Sequence, residues 1–433
     1  MSSRFDGLLA GPAASVTEAG AAPATSSSGP GAGPASPAAG GGHARLGELD
    51  LLRFLAALAV VVFHYMAASK SLWGVQPTRI FPSVAPLSVL GILGVELFFV
   101  ISGFVILMSV MGRTAGEFAV SRVTRLFPAY WFSVLAIFLL YTLTDVQGFR
   151  PNLSPTDYVV NLTMVQQGLG VGHASGVYWS LWVELRFYVM MAVFALIGIT
   201  VRRVLIFMAA WLMAAAYVGN LDAPALEMIL LPHHAPYFVA GMGFYLIYRY
   251  GSSLITWALV AGAYVFALRE ATERVAGRVK MVGAKDFPAP EWAVMLAVTV
   301  IFGVVALVAL HRLGWLRWRG LVTLGALTYP LYLLHQTVSA VLIPAFEERI
   351  NAWLVVGMTV GVSLILSYLV WRFIEKPAQR LLKPRLTASL RALRDLSAKV
   401  SESPPKQDQT PQRGYIHTVS VPELIGRDGR GTV

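Results

Sequence analysis

The sequence predicts an all-α, polytopic membrane protein of about ten transmembrane helices, and three observations predict it. The 433 residues are 56% hydrophobic and only 13% charged, against about 25% charged residues in an average soluble chain, and the mean hydropathy is +0.63. Apolar windows of about 17–25 residues, long enough to cross a hydrocarbon core, recur along the chain. Lys and Arg gather in short segments between these windows, so the formal net charge of +11 fits membrane orientation better than nucleic acid. Cysteine is absent, which excludes a disulfide framework, a thiolate metal site, a Cys nucleophile and palmitoylation. No metal is expected.

Residues 1–45 mix Gly, Ala, Pro and Ser (SSSGPGAGPASPAAGGG) with too little apolar content to fold, and a disordered tail is expected there. The tail lacks the basic segment and apolar core of a cleaved signal peptide, which leaves the first span as the insertion signal. Spans are expected at 49–68, 88–111, 126–143, 177–199, 204–219, 234–248, 252–268, 291–310, 321–345 and 352–371. The sixth is the weakest, because Pro232, His233, His234 and Pro236 crowd its start. Ten spans place both termini on one side, and the excess of Lys and Arg on that side predicts that both are cytoplasmic. The discordant outer loop, 269–290, is basic but diluted by Glu270, Glu273 and Asp286. Beyond the membrane domain, 46–385, Leu386, Leu390, Leu393 and Val400 recur among Arg391, Arg394 and Lys399, predicting a basic amphipathic helix over 386–400 on the cytoplasmic surface. Residues 401–433 are expected to be disordered.

Ionisable residues inside spans carry the functional reading, because exposing them to lipid is costly. In the first span, DLLRFLAALAVVVFHY, Arg53 and His64 are eleven residues apart, which puts them on one helix face and roughly 16 Å apart along the axis. The second span, GVELFFVISGFVI, holds Glu96 and Ser102; packing through Ser102 and Gly103 competes with a site role. In SRVTRLFPAYW, the short loop expected before the third span, Arg122 and Arg125 form a pair suited to clamping phosphates. Ser180, Glu184 and Tyr188 in VYWSLWVELRFY form one stripe at four-residue spacing. In LTYPLYLLHQ, Pro330 should kink the ninth span, with Thr328, Tyr332 and His335 on one face. Glu375 and Pro377, in WRFIEKPAQRLLK, read as a helix terminator.

In this order on a ten-span chain, LDLLRFLAALAVVVFHY, GVELFFVISGFVI, SRVTRLFPAYW, WSLWVELRFY, LTYPLYLLHQ and FIEKP resemble acyltransferase family 3, the integral-membrane O-acyltransferases of bacterial surface glycans, over residues 46–385. The family's Arg, ten residues, His pattern falls on Arg53 and His64, and its RxxR pattern on Arg122 and Arg125. The resemblance implies an enzyme of the bacterial inner (cytoplasmic) membrane. It would move an acyl group, usually acetyl from acetyl-CoA as co-substrate, to a hydroxyl of a glycan outside. Membrane lipid, the glycan acceptor and polysaccharide biosynthesis machinery would be its partners.

The residues support the same chemistry. His64 is the best base, with an unperturbed pKa near ~6.5, and Glu184 would orient it as the acid of a triad does. Arg53, Arg122 and Arg125 would face the CoA phosphates, and Glu96, Ser102, Ser180, Tyr188, Tyr332 and His335 would bind substrate or wall the site. Counting helix rise from the span boundaries brings His64, His335, Glu96 and Glu184 to one depth of about 18–22 Å above the inner boundary, in a single chamber. The rival reading is a proton-coupled transporter or flippase. It is disfavoured because no internal two-fold repeat, no matched pair of broken helices and no P-loop is found.

Overall fold

A computed structural model of the chain describes residues 46–144, 146, 152–281, 290–316, 318 and 320–402. The terminal tails lie outside the described residues, except that Ser401 and Glu402 end the last helix. The described residues form helices and connecting segments, with no strand among them. Ten helices match the expected spans: α1 (Gly47–Phe63), α2 (Gly94–Val110), α3 (Ala115–Leu143), α4 (Tyr178–Ile197), α5 (Val201–Val218), α6 (Ala235–Tyr250), α7 (Leu254–Met281), α8 (Glu291–Ala309), α9 (Gly320–Phe346) and α10 (Ala352–Val370). An eleventh, α11 (Lys376–Glu402), follows. Nine of the described helices are long and apolar enough to cross a membrane.

The exception among the ten is α6, with 16 residues. Every residue from Ala235 to Ile247 is buried, so other helices surround it and it need not present a full apolar surface to lipid. It lies against α2 where a Cβ on Gly241 would overlap the Val100 carbonyl and one on Gly103 the Phe238 carbonyl. Small residues at a membrane-helix crossing let backbones meet. Side-chain contacts show α6 parallel to α4 (Trp179 with His234, Phe187 with Phe238) and antiparallel to α5 (Met208 with Gly243, Trp211 with Phe238). The up-down alternation therefore includes α6. The start of α1 defines a lower face and its end an upper one.

The third and seventh spans extend beyond the expected limits. α3 starts at Ala115, behind a capping box in which Thr114 and Glu117 satisfy each other's backbone N–H, so Arg122 and Arg125 lie inside a helix rather than in a loop. α7 runs 28 residues to Met281, about 42 Å, so four of the basic residues assigned to the outer loop, Arg269, Arg274, Arg278 and Lys280, are helical. The continuing signal is Ala263, Ala267, Ala271, Val275 and Val279, buried at four-residue spacing.

Two further expectations change. Glu375 and Pro377 do not stop the helix: a π turn over Trp371–Glu375 leads straight into α11, with Pro377 in its first turn, where a missing N–H is tolerated. The amphipathic helix thus starts at Lys376 and packs on the foot of α3, with Leu390 against Gly116 and Arg394 beside Glu117. The upper part of the second span is broken into a short helix, Ala85–Val89, and a 3₁₀ turn, Leu90–Leu93. There Gly91 and Gly94 rest on the α1 carbonyls of Ala59 and Ala56, and Glu96 falls in the first turn of α2 rather than deep within it.

Candidate active site

α1 ends in a single π turn, His64–Ala68, a wide turn that recurs at functional positions. It places His64 against α9, where His64 Nδ1 lies 3.2 Å from His335 Nε2 and 2.9 Å from the Val60 carbonyl. His335 is fully buried, and its Nδ1 sits 2.9 Å from the Tyr332 carbonyl and 3.1 Å from that of Leu331. Carbonyl oxygens only accept, so His335 Nδ1 carries its hydrogen and the neutral ring offers Nε2 as an acceptor. His64 Nδ1 must then be the donor, toward both Val60 and His335, which leaves the lone pair on His64 Nε2. Tyr65, the next residue, donates its hydroxyl to the His335 carbonyl at 2.8 Å and meets Ser363 Oγ at 2.9 Å, tying α1, α9 and α10 together at the histidine pair.

His64 lines a cavity of about 280 Å³, together with Ser69, Ser71, Trp179, Arg278, Tyr332 and Gln336 on its polar side and Phe63, Leu72, Ile92 and Val95 on its apolar side. Below it lies a smaller cavity, about 40 Å³, lined by Arg53, Ser102, Ser180, Glu184, Thr328 and Tyr332. Val95 and Tyr332 border both. The Tyr332 hydroxyl bonds Ser180 Oγ at 2.5 Å, so that side chain forms part of the wall between them.

Glu184 is not the partner of His64, contrary to the expected pairing. It accepts from Ser102 Oγ at 2.6 Å in the lower cavity. The reason is vertical: α4 begins at Tyr178, so Glu184 lies about 9 Å down the helix, level with Ser102 rather than with the histidines. Of the α4 stripe, Ser180 and Glu184 reach the lower cavity, whereas Tyr188 is buried farther down beside Arg122, 5.9 Å from its ring centroid.

A family model described as "Acyltransferase domain" matches residues 46–372, a stretch that runs from the start of α1 through both cavities to the π turn after α10. The chain belongs to acyltransferase family 3. No curated protein and no solved structure matches it.

The remaining predicted positions of this membrane acyltransferase sit around the two cavities. Arg53 is within electrostatic reach of Arg125, Glu184, Tyr188 and Asp50, so three arginines gather at the lower end around the Glu184 carboxylate. Arg122 stacks over Phe118 and Tyr188 and donates to Ser121 Oγ at 3.3 Å. Glu96, expected on the chamber wall, lies behind it: fully buried, it pairs with Arg274 Nε at 3.1 Å. The same guanidinium covers the Trp179 ring at 4.6 Å and contacts His234 Nδ1 at 3.0 Å. A buried carboxylate beside a cation is stable only as a pair, because breaking it strands a charge in a low dielectric.

Sequence reading missed the contributions of α7 and of the segment before α4. Arg278 lies 5.7 Å over Trp179 and lines the upper cavity, and Ser175 holds Gln336. The α7 residues were legible in principle from the buried Ala and Val spacing. Ser175 and Trp179 had no local signal, since their significance lies in which helix they face.

Proposed function

We propose that this acyltransferase moves a short acyl group, acetyl from acetyl-CoA, to a hydroxyl of a glycan on the extracytoplasmic side of the bacterial inner membrane, with both termini cytoplasmic. One observation carries the reading: His64 holds its hydrogen on Nδ1, against Val60 and His335, and presents an unprotonated Nε2 at the wall of a cavity bordered by polar groups. That is the state a general base needs.

In the proposed reaction the acceptor oxygen attacks the thioester carbonyl carbon as His64 Nε2 takes the hydroxyl proton. The resulting imidazolium keeps its Nδ1–H on the neutral His335 acceptor. Collapse of the tetrahedral adduct re-forms the carbonyl and expels the CoA thiolate, which recovers the proton from His64. Arg53, Arg122 and Arg125 lie on the donor's side, and Arg53 is about 16 Å below His64 along α1, so the arm of a bound CoA would rise past Glu184 and Tyr332. The apolar half of the upper cavity suits the acyl chain and the polar half a sugar.

The test uses the full-length protein in proteoliposomes, with radiolabelled acetyl-CoA on the cytoplasmic face and surface glycan from a deletion strain on the other. Label in the glycan, absent with His64→Ala, supports the reading. Label that crosses only as intact metabolite, with no ester formed, overturns it in favour of transport.

A further inference from the structure

We propose that Gln336 is the oxyanion donor of the upper cavity and that Ser175 is the residue that sets its amide. The inference rests on the acyl-transfer reading above and adds to it a group for the charge that develops on the thioester oxygen. His335 and Gln336 are consecutive on α9. The first supports His64 from behind, and the second, about 100° around the helix, reaches the cavity wall beside it. Ser175 Oγ donates to Gln336 Oε1 at 3.0 Å. With its oxygen taken as acceptor, the amide can turn only its NH₂ toward the cavity, and no side chain or carbonyl among the described residues accepts from Nε2. A donor without a protein acceptor, on the wall of a site that otherwise positions a base, has a role once negative charge appears on a substrate oxygen.

The local backbone is shaped for this. Ser175 is buried, and a Cβ on the following Gly176 would come within 3.1 Å of Gln336 Oε1. Glycine there lets the chain ahead of α4 close down on the amide. In the addition step the carbonyl π pair moves onto the thioester oxygen, and Gln336 Nε2–H donates to it. When the carbonyl re-forms and the C–S bond breaks, the pair leaves with sulfur and the hydrogen bond weakens. Gln336 gives up no proton, so the proton balance stays with His64. The contact is stronger to the oxyanion than to the ground-state carbonyl, so it acts on turnover more than on binding.

The experiment measures kcat and KM for acetyl-CoA in the proteoliposome assay for wild type, Gln336→Glu, Gln336→Ala, Ser175→Ala and Ser175→Thr. Gln336→Glu is nearly isosteric and can still accept from Ser175 but cannot donate. It and the alanine variant should lose about 10²–10³-fold in kcat with KM little changed. Ser175→Ala frees the amide to flip and should lose about tenfold in kcat, restored by the hydroxyl of Ser175→Thr. A rise in KM at unchanged kcat overturns the assignment, since Gln336 would then bind ground states only. So does a normal kcat in Gln336→Glu, which would leave the acyltransferase reading intact. Equal losses in Ser175→Ala and Ser175→Thr would also count against the positioning role, and an inert wild-type enzyme would overturn both readings.

Discussion

His64 acquires its protonation pattern from two backbone-anchored neighbours rather than from an acid. A carboxylate in the place of His335 would add an unpaired charge within the membrane, at a cost of several kcal/mol; a neutral imidazole supports the developing imidazolium with its lone pair alone. His64→Ala is expected to lower kcat/KM about 10²–10⁴-fold, the usual worth of a general base. His335→Ala should lose less, about tenfold to a hundredfold, because the Val60 carbonyl still holds the Nδ1 hydrogen. The double variant should be little worse than His64→Ala, since residues acting as a unit are not additive. Losses that multiply would show that the pair acts independently.

The same scale supplies a pH dependence. His233, in the segment ahead of α6, lies 2.7 Å from Glu270, and that hydrogen bond raises its pKa above the ordinary 6.5. A raised folded-state value means that the stabilising contact is fully present below about pH 6.5 and is lost as pH climbs through the folded value. The histidine is more than half exposed, so the effect is small. The thermal midpoint of wild type should exceed that of His233→Gln near pH 6, and the gap should close by about pH 8. A gap that does not change with pH would remove the ion pair from the account.

Among the helices, α6 carries the tightest constraints. Gly241→Ala forces a methyl into the Val100 carbonyl, and overpacking of this kind costs about 1–3 kcal/mol or more. A fall in detergent-solubilised thermal stability of several degrees is expected. Gly357 and Gly361 on α10 have nothing within 4 Å of a Cβ, so alanine at either should leave stability unchanged or slightly raised. Similar behaviour at all three positions would contradict the close α2–α6 crossing. The Glu96–Arg274 pair is the second constraint on an element: Glu96→Ala strands Arg274 between α2, α6 and α7 and should destabilise by about 3–5 kcal/mol, measurable as lost monodisperse protein.

Across the whole molecule, sidedness is directly testable because the chain has no cysteine. With the proposed orientation, a membrane-impermeant thiol reagent applied to intact spheroplasts should label Arg349→Cys, in the connection from α9 to α10, and not Arg113→Cys, between α2 and α3; both positions are exposed. The reverse pattern would invert the donor and acceptor faces. Charge reversal at Arg122 and Arg125 should raise KM for acetyl-CoA without altering acceptor dependence, because the lost contact is equal in ground and transition states. A change in acceptor affinity instead would move the donor site away from the lower face.

The sequence by itself determined the all-α class, the ten helices, the family and the positions of Arg53, His64, Glu184 and His335 within their helices. Each of these follows from composition, apolar periodicity or residue order, which are local along the chain. It misjudged helix ends where a cap or a π turn overrode a residue preference: Thr114 lengthened α3 at its start, and Pro377 failed to stop α10. Only the tertiary structure decided which ionisable groups meet. Depth along a helix is readable from rise per residue, but the facing partner depends on rotation and on how closely neighbouring backbones approach. The glycines on α2 and α6 and the broken top of the second span set that approach. That is why His64 meets His335 and not Glu184, why Glu96 is neutralised behind the wall by Arg274, and why the amide of Gln336 is free to face the cavity.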